Sequence, residues 1–160
     1  MTKPVTASQT IGPFWHLLAD PDLADLTRSG ATGTKLVLTG RVIDGDGTVV
    51  SDACVEIWQA TPRPSPAFLG WGRCGTGADG GFRFATLAPD PDAPYLAVAV
   101  LARGLVKPLW TRVYFADIGD PLLAGLSAAR RATLLARPDG AGWRWDIRLQ
   151  GGEETVFLDM

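Results

Sequence analysis

The chain holds one histidine, two tyrosines and two cysteines among 160 residues, and this scarcity excludes much chemistry at the outset. No site that needs two imidazoles can be built within a single copy. Zinc centres built on histidine, the two-histidine facial triad and the Cys-x-x-Cys pattern are all missing. A nucleophilic triad would have to recruit His16, which follows Gly-Pro-Phe-Trp in an extended stretch, and no Gly-x-Ser-x-Gly accompanies it. The dinucleotide and P-loop glycine motifs are absent. Gly70-Trp71-Gly72 and Gly75-Thr76-Gly77 read as turn glycines, since no helical pattern follows either. Hydrophobic runs are short as well: Tyr95 to Ala102, the longest, falls far below the ~20 residues of a membrane helix.

Charge is equally sparse. Charged residues make up 20% of the chain, and 15 Lys plus Arg against 17 Asp plus Glu leave a net charge of -2. No basic field for a phosphate backbone exists, so nucleic acid is not an expected partner. The opening MTKPVTASQT lacks a basic-then-apolar leader, which makes the cytoplasm the expected location. In a reducing compartment Cys54 and Cys74 are expected to be buried small hydrophobes rather than a disulfide.

What is plentiful is apolar surface and turn chemistry. Hydrophobic residues reach 46%, with 19 Gly, 12 Pro and 6 Trp, a mixture that folds and favours strands over long helices. The length suits one domain. Residues 1–34 read as an ordered N-terminal arm. Phe14, Trp15, Leu17 and Leu18 are costly to leave in water, so the arm is expected to pack on something, either its own domain or a partner, the partner being the favoured reading. From 35 to 160 the pattern becomes that of a β-sandwich. KLVLTGRVID alternates from Lys35 and runs into Gly45-Asp46-Gly47, the start of a hairpin. Ala53 to Ala60 sets Val55 and Ile57 against Cys54, Glu56 and Trp58, and Pro62, Pro64 and Pro66 close it. Gly72–Thr76 and Gly81–Thr86 flank Ala78-Asp79-Gly80-Gly81 as a second hairpin, with Phe82 and Phe84 on one face. Tyr95–Arg103 reads as a central strand buried on both faces, and Leu109–Phe115 as its return. The convincing helix spans Ser127 to Ala136, capped by Ser127 and ended by Pro138 and Gly140. Residues 142–149 and 154–158 read as the last strands. The expected fold is therefore all-β, an antiparallel β-sandwich with an extended arm and one short peripheral helix.

Particular strings carry more than their periodicity. Ser8-Gln9-Thr10-x-Gly12-Pro13-Phe14, GRVIDGDGTVVSDACVEIWQA at 40–60, GRCGTGADGGFRF at 72–84 and RWDIRLQGGEETVFLD at 144–159 together resemble the intradiol ring-cleaving dioxygenases. The likeness covers most of the chain from residue 8. VLARGLVKPLWTRVYF at 100–115 and the ending QGGEETVFLDM resemble the alpha subunits of that family.

The resemblance implies a ferric site of two tyrosinates and two histidines in the catalytic chain, the imidazoles arriving as His-x-His on a central strand. Here that strand reads Ala93-Pro94-Tyr95-Leu96-Ala97, so Tyr95 and Ala97 stand at the two imidazole positions. The loop implied to carry one tyrosinate is shortened to ATPRPSPAFLGWGR, and the stretch implied to carry the other reads DPDAP; neither holds a tyrosine. Physical chemistry points the same way, because hard Fe(III) wants several converging anionic oxygens plus imidazole.

By this resemblance the chain contributes no catalytic residue and no metal ligand. Its Fe(III) cofactor is bound by a partner beta subunit in a hetero-oligomer, which cleaves a carboxylated catechol with O2. Thr10, Gly12, Pro13 and Arg103 are then implied to line the entrance to the partner's site. Gly12 and Pro13 would fix a tight backbone, Thr10 would offer a hydroxyl, and Arg103 a guanidinium that steers an anionic substrate. The plainer alternatives are an Arg103 paired with a surface carboxylate and a Thr10 turn that merely seats the arm. A different class of function also fits one segment: DGDGTVVSDACVEIW resembles transthyretin-like sandwich modules that bind without catalysis.

Overall fold

The computed structural model describes residues 7, 9–12, 14–17 and 19–159. Nine strands follow one another along them: β1 (Lys35–Ile43), β2 (Cys54–Trp58), β3 (Trp71–Gly75), β4 (Gly81–Leu87), β5 (Tyr95–Leu101), β6 (Leu109–Tyr114), β7 (Arg137–Asp139), β8 (Gly142–Arg144) and β9 (Ile147–Arg148). They form two sheets. One runs β4-β1-β8-β7 with β9 also on β1, and the other runs β3-β2-β5-β6. Pairing is antiparallel except where β8 and β9 run parallel to β1. Those two strands arrive after a long excursion of the chain, so no hairpin constrains their direction.

Period-two alternation explains the core. Leu36, Leu38 and Val42 of β1 and Phe82 and Phe84 of β4 face Val55 and Ile57 of β2, Leu96, Val98 and Val100 of β5, and Val113 of β6 in one buried cluster. Gly40 interrupts the bulky row of β1 for a steric reason. A Cβ there would run into the Trp145 carbonyl and the Phe82 ring, so the Trp145 backbone can approach β1 this closely only because Gly40 is bare.

Several local expectations change in the folded chain. The Gly45-Asp46-Gly47 turn returns for a single bridge, Ile43 to Val49, after which the chain crosses to the other sheet instead of completing a hairpin. The tight turn at 77–81 is present, closed by Gly80 N–H on the Gly77 carbonyl at 2.8 Å, yet β3 and β4 on its two sides lie in opposite sheets. The helix read over Ser127–Ala136 is also shorter. Ser127 does cap it, but α2 (Ala128–Ala132) stops where the Thr133 hydroxyl donates to the Arg130 carbonyl at 2.8 Å. Leu134 and Ala136 then hydrogen-bond with Tyr114 of β6. A second short helix, α1 (Pro121–Ala124), precedes it behind the N-cap Asp120. The strand read over 142–149 is broken at Trp145–Asp146, and 154–158 meets the edge of β6 through a Trp110–Leu158 bridge and the Thr111 hydroxyl, which donates to the Val156 carbonyl at 2.7 Å, without forming a strand.

The leading segment is seated on this sandwich at two places. Leu26 is buried in the core and packs over Gly72, where a Cβ would collide with it, and Asp25 bridges Ala85 of β4. Burying one leucine side chain is worth about 1.5–3 kcal/mol. Upstream, a 3-10 turn over Trp15–Leu17 leaves Phe14 and Leu17 69% and 70% exposed while Trp15 packs inward on Gly75.

Candidate functional site

The outer face of the β3-β2-β5-β6 sheet carries the positions that the resemblance assigns to imidazoles. Along β5 this face presents Tyr95, Ala97 and Ala99. Ala97 sits between Trp58 and Arg112, and Ala99 between Glu56 and Trp110. Two alanines in the middle strand leave space above them, so Trp58 and Trp110 meet across β5 with centroids 5.2 Å apart. At the Tyr95 end the Arg112 guanidinium lies over the Tyr95 ring, 4.4 Å from its centroid. Tyr95 and Tyr114 are themselves 5.3 Å apart.

Asp120 ties this cluster together. Its Oδ2 accepts the Tyr114 hydroxyl at 2.7 Å and lies 3.5 Å from Arg112 Nη1, while Oδ1 accepts the Leu123 N–H at 2.9 Å as the cap of α1. Burial works upward on the Asp120 carboxyl, but the Leu123 and Tyr114 hydrogen bonds and the Arg112 charge outweigh it and hold the group below its ordinary 3.8. Burial, with help from Asp120, pushes the Tyr114 phenol up to about 12. Arg112 is raised despite burial, through its Tyr114 hydrogen bond and the nearby oxygens.

This arrangement does not fit a ferric ion. Ala97 has no side-chain ligand atom, the Tyr114 phenol keeps its proton and donates it in a hydrogen bond to Asp120, and the guanidinium of Arg112 already occupies the space over Tyr95 with a positive charge. Among the described residues no group of three or more His, Cys, Asp or Glu side chains stands close enough to hold a metal. The cysteines are equally inert. Val55 pairs with Cys74 and Cys54 with Gly75, so the two thiols sit on opposite faces, free, and burial raises both, Cys54 to about 12.

Two of the four entrance residues named from sequence come together at the other end of the same sheet. The Thr10 hydroxyl donates to the Ala102 carbonyl at 3.1 Å and accepts the Gly104 N–H at 3.0 Å, so it clamps the turn that holds Arg103. Arg103, 62% exposed, pairs through Nε with the Asp52 carboxylate. Both plainer alternatives therefore describe real contacts, the one at Arg103 made through its Nε. Gly12 is exposed with open space where a Cβ would sit. Among the described residues nothing packs where that Cβ would sit. Pro13 lies outside the described residues.

Against known proteins, this chain is 37% identical to the protocatechuate 3,4-dioxygenase alpha chain of Burkholderia cepacia, over 97% of each. The beta chain of the same enzyme and organism is 30% identical, over 95% of this chain but 78% of that one. One organism thus offers both subunits for comparison, and the alpha chain agrees better in identity and in length. The chain belongs to the family of protocatechuate 3,4-dioxygenase alpha chains.

The fold agrees with that membership. The dioxygenase domain of a dioxygenase carbohydrate-binding protein fusion from Streptomyces sp. SirexAA-E superposes with a TM-score of 0.60 at 25% identity, over 83% of this chain and 88% of that one. No family model matches the chain. The alignment with the Burkholderia alpha chain spans 191 positions, more than this chain has residues, so it opens gaps in this chain. Family membership sets aside the reading as a free-standing transthyretin-like module. The sequence reasoning missed Asp52, Arg112 and Asp120. Asp120-Pro121, an N-cap followed by proline, was a legible signal for the last, whereas the Asp52 and Arg112 contacts depend on strands brought together only by folding.

Proposed function

We propose that this chain is the non-metallated alpha subunit of a heteromeric protocatechuate 3,4-dioxygenase. The paired beta chain supplies every ligand of the Fe(III), and the assembled enzyme cleaves protocatechuate with O2 to 3-carboxy-cis,cis-muconate. The observation that carries this reading is the Arg112 guanidinium over Tyr95, opposite Ala97: a fixed cation fills the space where relatives with His-x-His would gather ligands. Held by the partner, a ferric ion would supply Lewis acidity toward the catecholate oxygens. This chain's residues do other work. The arm, residues 1–34, is held on its own sandwich through Trp15 and Leu26 and meets the partner with Phe14 and Leu17, its uncovered apolar groups. Thr10, Gly12, Pro13 and Arg103 line the entrance to the partner's site. Arg103 attracts the substrate carboxylate and Thr10 holds the turn that presents it. Two free thiols suit a reducing cytoplasm as the place of work.

Purified alone, the chain should hold no stoichiometric iron and take up no oxygen on protocatechuate. Co-expressed with a beta chain, it should copurify and yield activity. A tyrosinate-to-iron colour in the isolated chain would refute the reading. In the complex, Arg103→Gln should raise KM for protocatechuate about three- to fivefold with kcat nearly unchanged, the loss of one exposed charge contact. The effect should shrink as salt rises.

A further inference from the structure

Asp52 sits at the joint between two elements that approach from different parts of the chain. Its backbone carbonyl accepts the Trp15 indole N–H at 3.1 Å, and its carboxylate pairs with Arg103 Nε. The turn that carries it is itself pinned: Thr76 Oγ1 donates to the Val50 carbonyl at 2.7 Å and accepts the Ala53 N–H at 3.0 Å. One residue, 26% exposed in its side chain, therefore holds both the arm's indole and the guanidinium beside it.

We infer that Asp52 is a positioning residue that orients Arg103 to receive the carboxylate of an incoming catechol acid. The inference rests on the proposed place of Arg103 at the partner's entrance. A long side chain that is 62% exposed has many rotamers to lose when it binds a ligand, and an anchor that fixes it beforehand removes part of that loss. Contact through Nε is the useful kind. No hydrogen bond among the described residues takes the two terminal nitrogens, which a planar guanidinium can offer to a second carboxylate in bidentate fashion. An opposing effect exists, since the Asp52 charge also repels an anionic substrate. The Arg103 guanidinium lies between the two carboxylates and its charge offsets their repulsion, whereas the orienting contact is direct. Orientation wins.

The test is a double-mutant cycle in the alpha-beta complex, read as oxygen uptake on protocatechuate. Asp52→Ala and Arg103→Gln should each raise KM about three- to fivefold and leave kcat within about twofold. The double variant should be no worse than Arg103→Gln alone, and Asp52→Glu should recover part of the loss. Asp52→Asn keeps the backbone and nearly the same shape, so it reports in the same direction should Asp52→Ala fail to assemble. A KM that stays level or falls on removing the Asp52 charge, or effects that multiply in the double variant, overturn the positioning role while Arg103 keeps its place. An unchanged KM in Arg103→Gln overturns both.

Discussion

Asp120 makes three contacts at once, and replacing it separates their contributions. Asp120→Ala removes the cap of α1, worth about 1 kcal/mol. It also removes the charged acceptor of the buried Tyr114 hydroxyl, about 1.5–3 kcal/mol. The Arg112 pairing, with that guanidinium a third exposed, adds no more than about 0.5 kcal/mol. These do not add strictly, and a total near 3 kcal/mol should lower the melting temperature by roughly 6–12 °C for a chain of this size. Asp120→Asn keeps the cap and an acceptor but loses the charge, so it should cost only about 1 kcal/mol. The pH dependence gives a second reading. The fold holds the Asp120 carboxyl below 3.8, so its charge stabilises the native state fully above that value and progressively less as pH falls through the folded one. The gap between the unmodified chain and Asp120→Asn should therefore close in acid. Calorimetry of the complex from pH 7 down to about 3 would read both. Equal losses for the two variants, unaffected by pH, would refute the view that a charged carboxylate organises this cluster.

Two further outcomes follow from the packing. Leu26→Ala leaves a hole against Gly72 and should cost about 2–5 kcal/mol, seen as a lower urea midpoint and faster proteolysis ahead of residue 35. Joint replacement Tyr95→His and Ala97→His restores the two imidazoles implied by the resemblance, yet with Arg112 in place it should bind no stoichiometric iron by metal analysis. Tight ferric binding in that variant would show that the guanidinium does not bar the site.

Alternation made the strands legible in this sequence. Leu36, Leu38, Val55, Ile57, Leu96 and Val98 are buried as their period of two demands. Which strand pairs with which was less legible, because Gly45-Asp46-Gly47 and Asp79-Gly80-Gly81 encode a tight turn and nothing about the sheet the chain enters next. Helix length failed for a similar reason. Leu134 and Ala136 fit a helical period, but their backbone groups find partners on Tyr114. At the site, Thr10 and Arg103 could be named from motifs, and their meeting around residues 102–104 emerged only in three dimensions. Arg112 alternates outward like any exposed strand residue, and no local pattern says that Tyr95 lies beneath it.

A cation joined to its own backbone cannot be chelated, exchanged or lost to a competing metal. With Arg112 over Tyr95, this face of the sheet is held together by side chains alone, so prolonged treatment with an iron chelator should leave the melting temperature of the chain where it was.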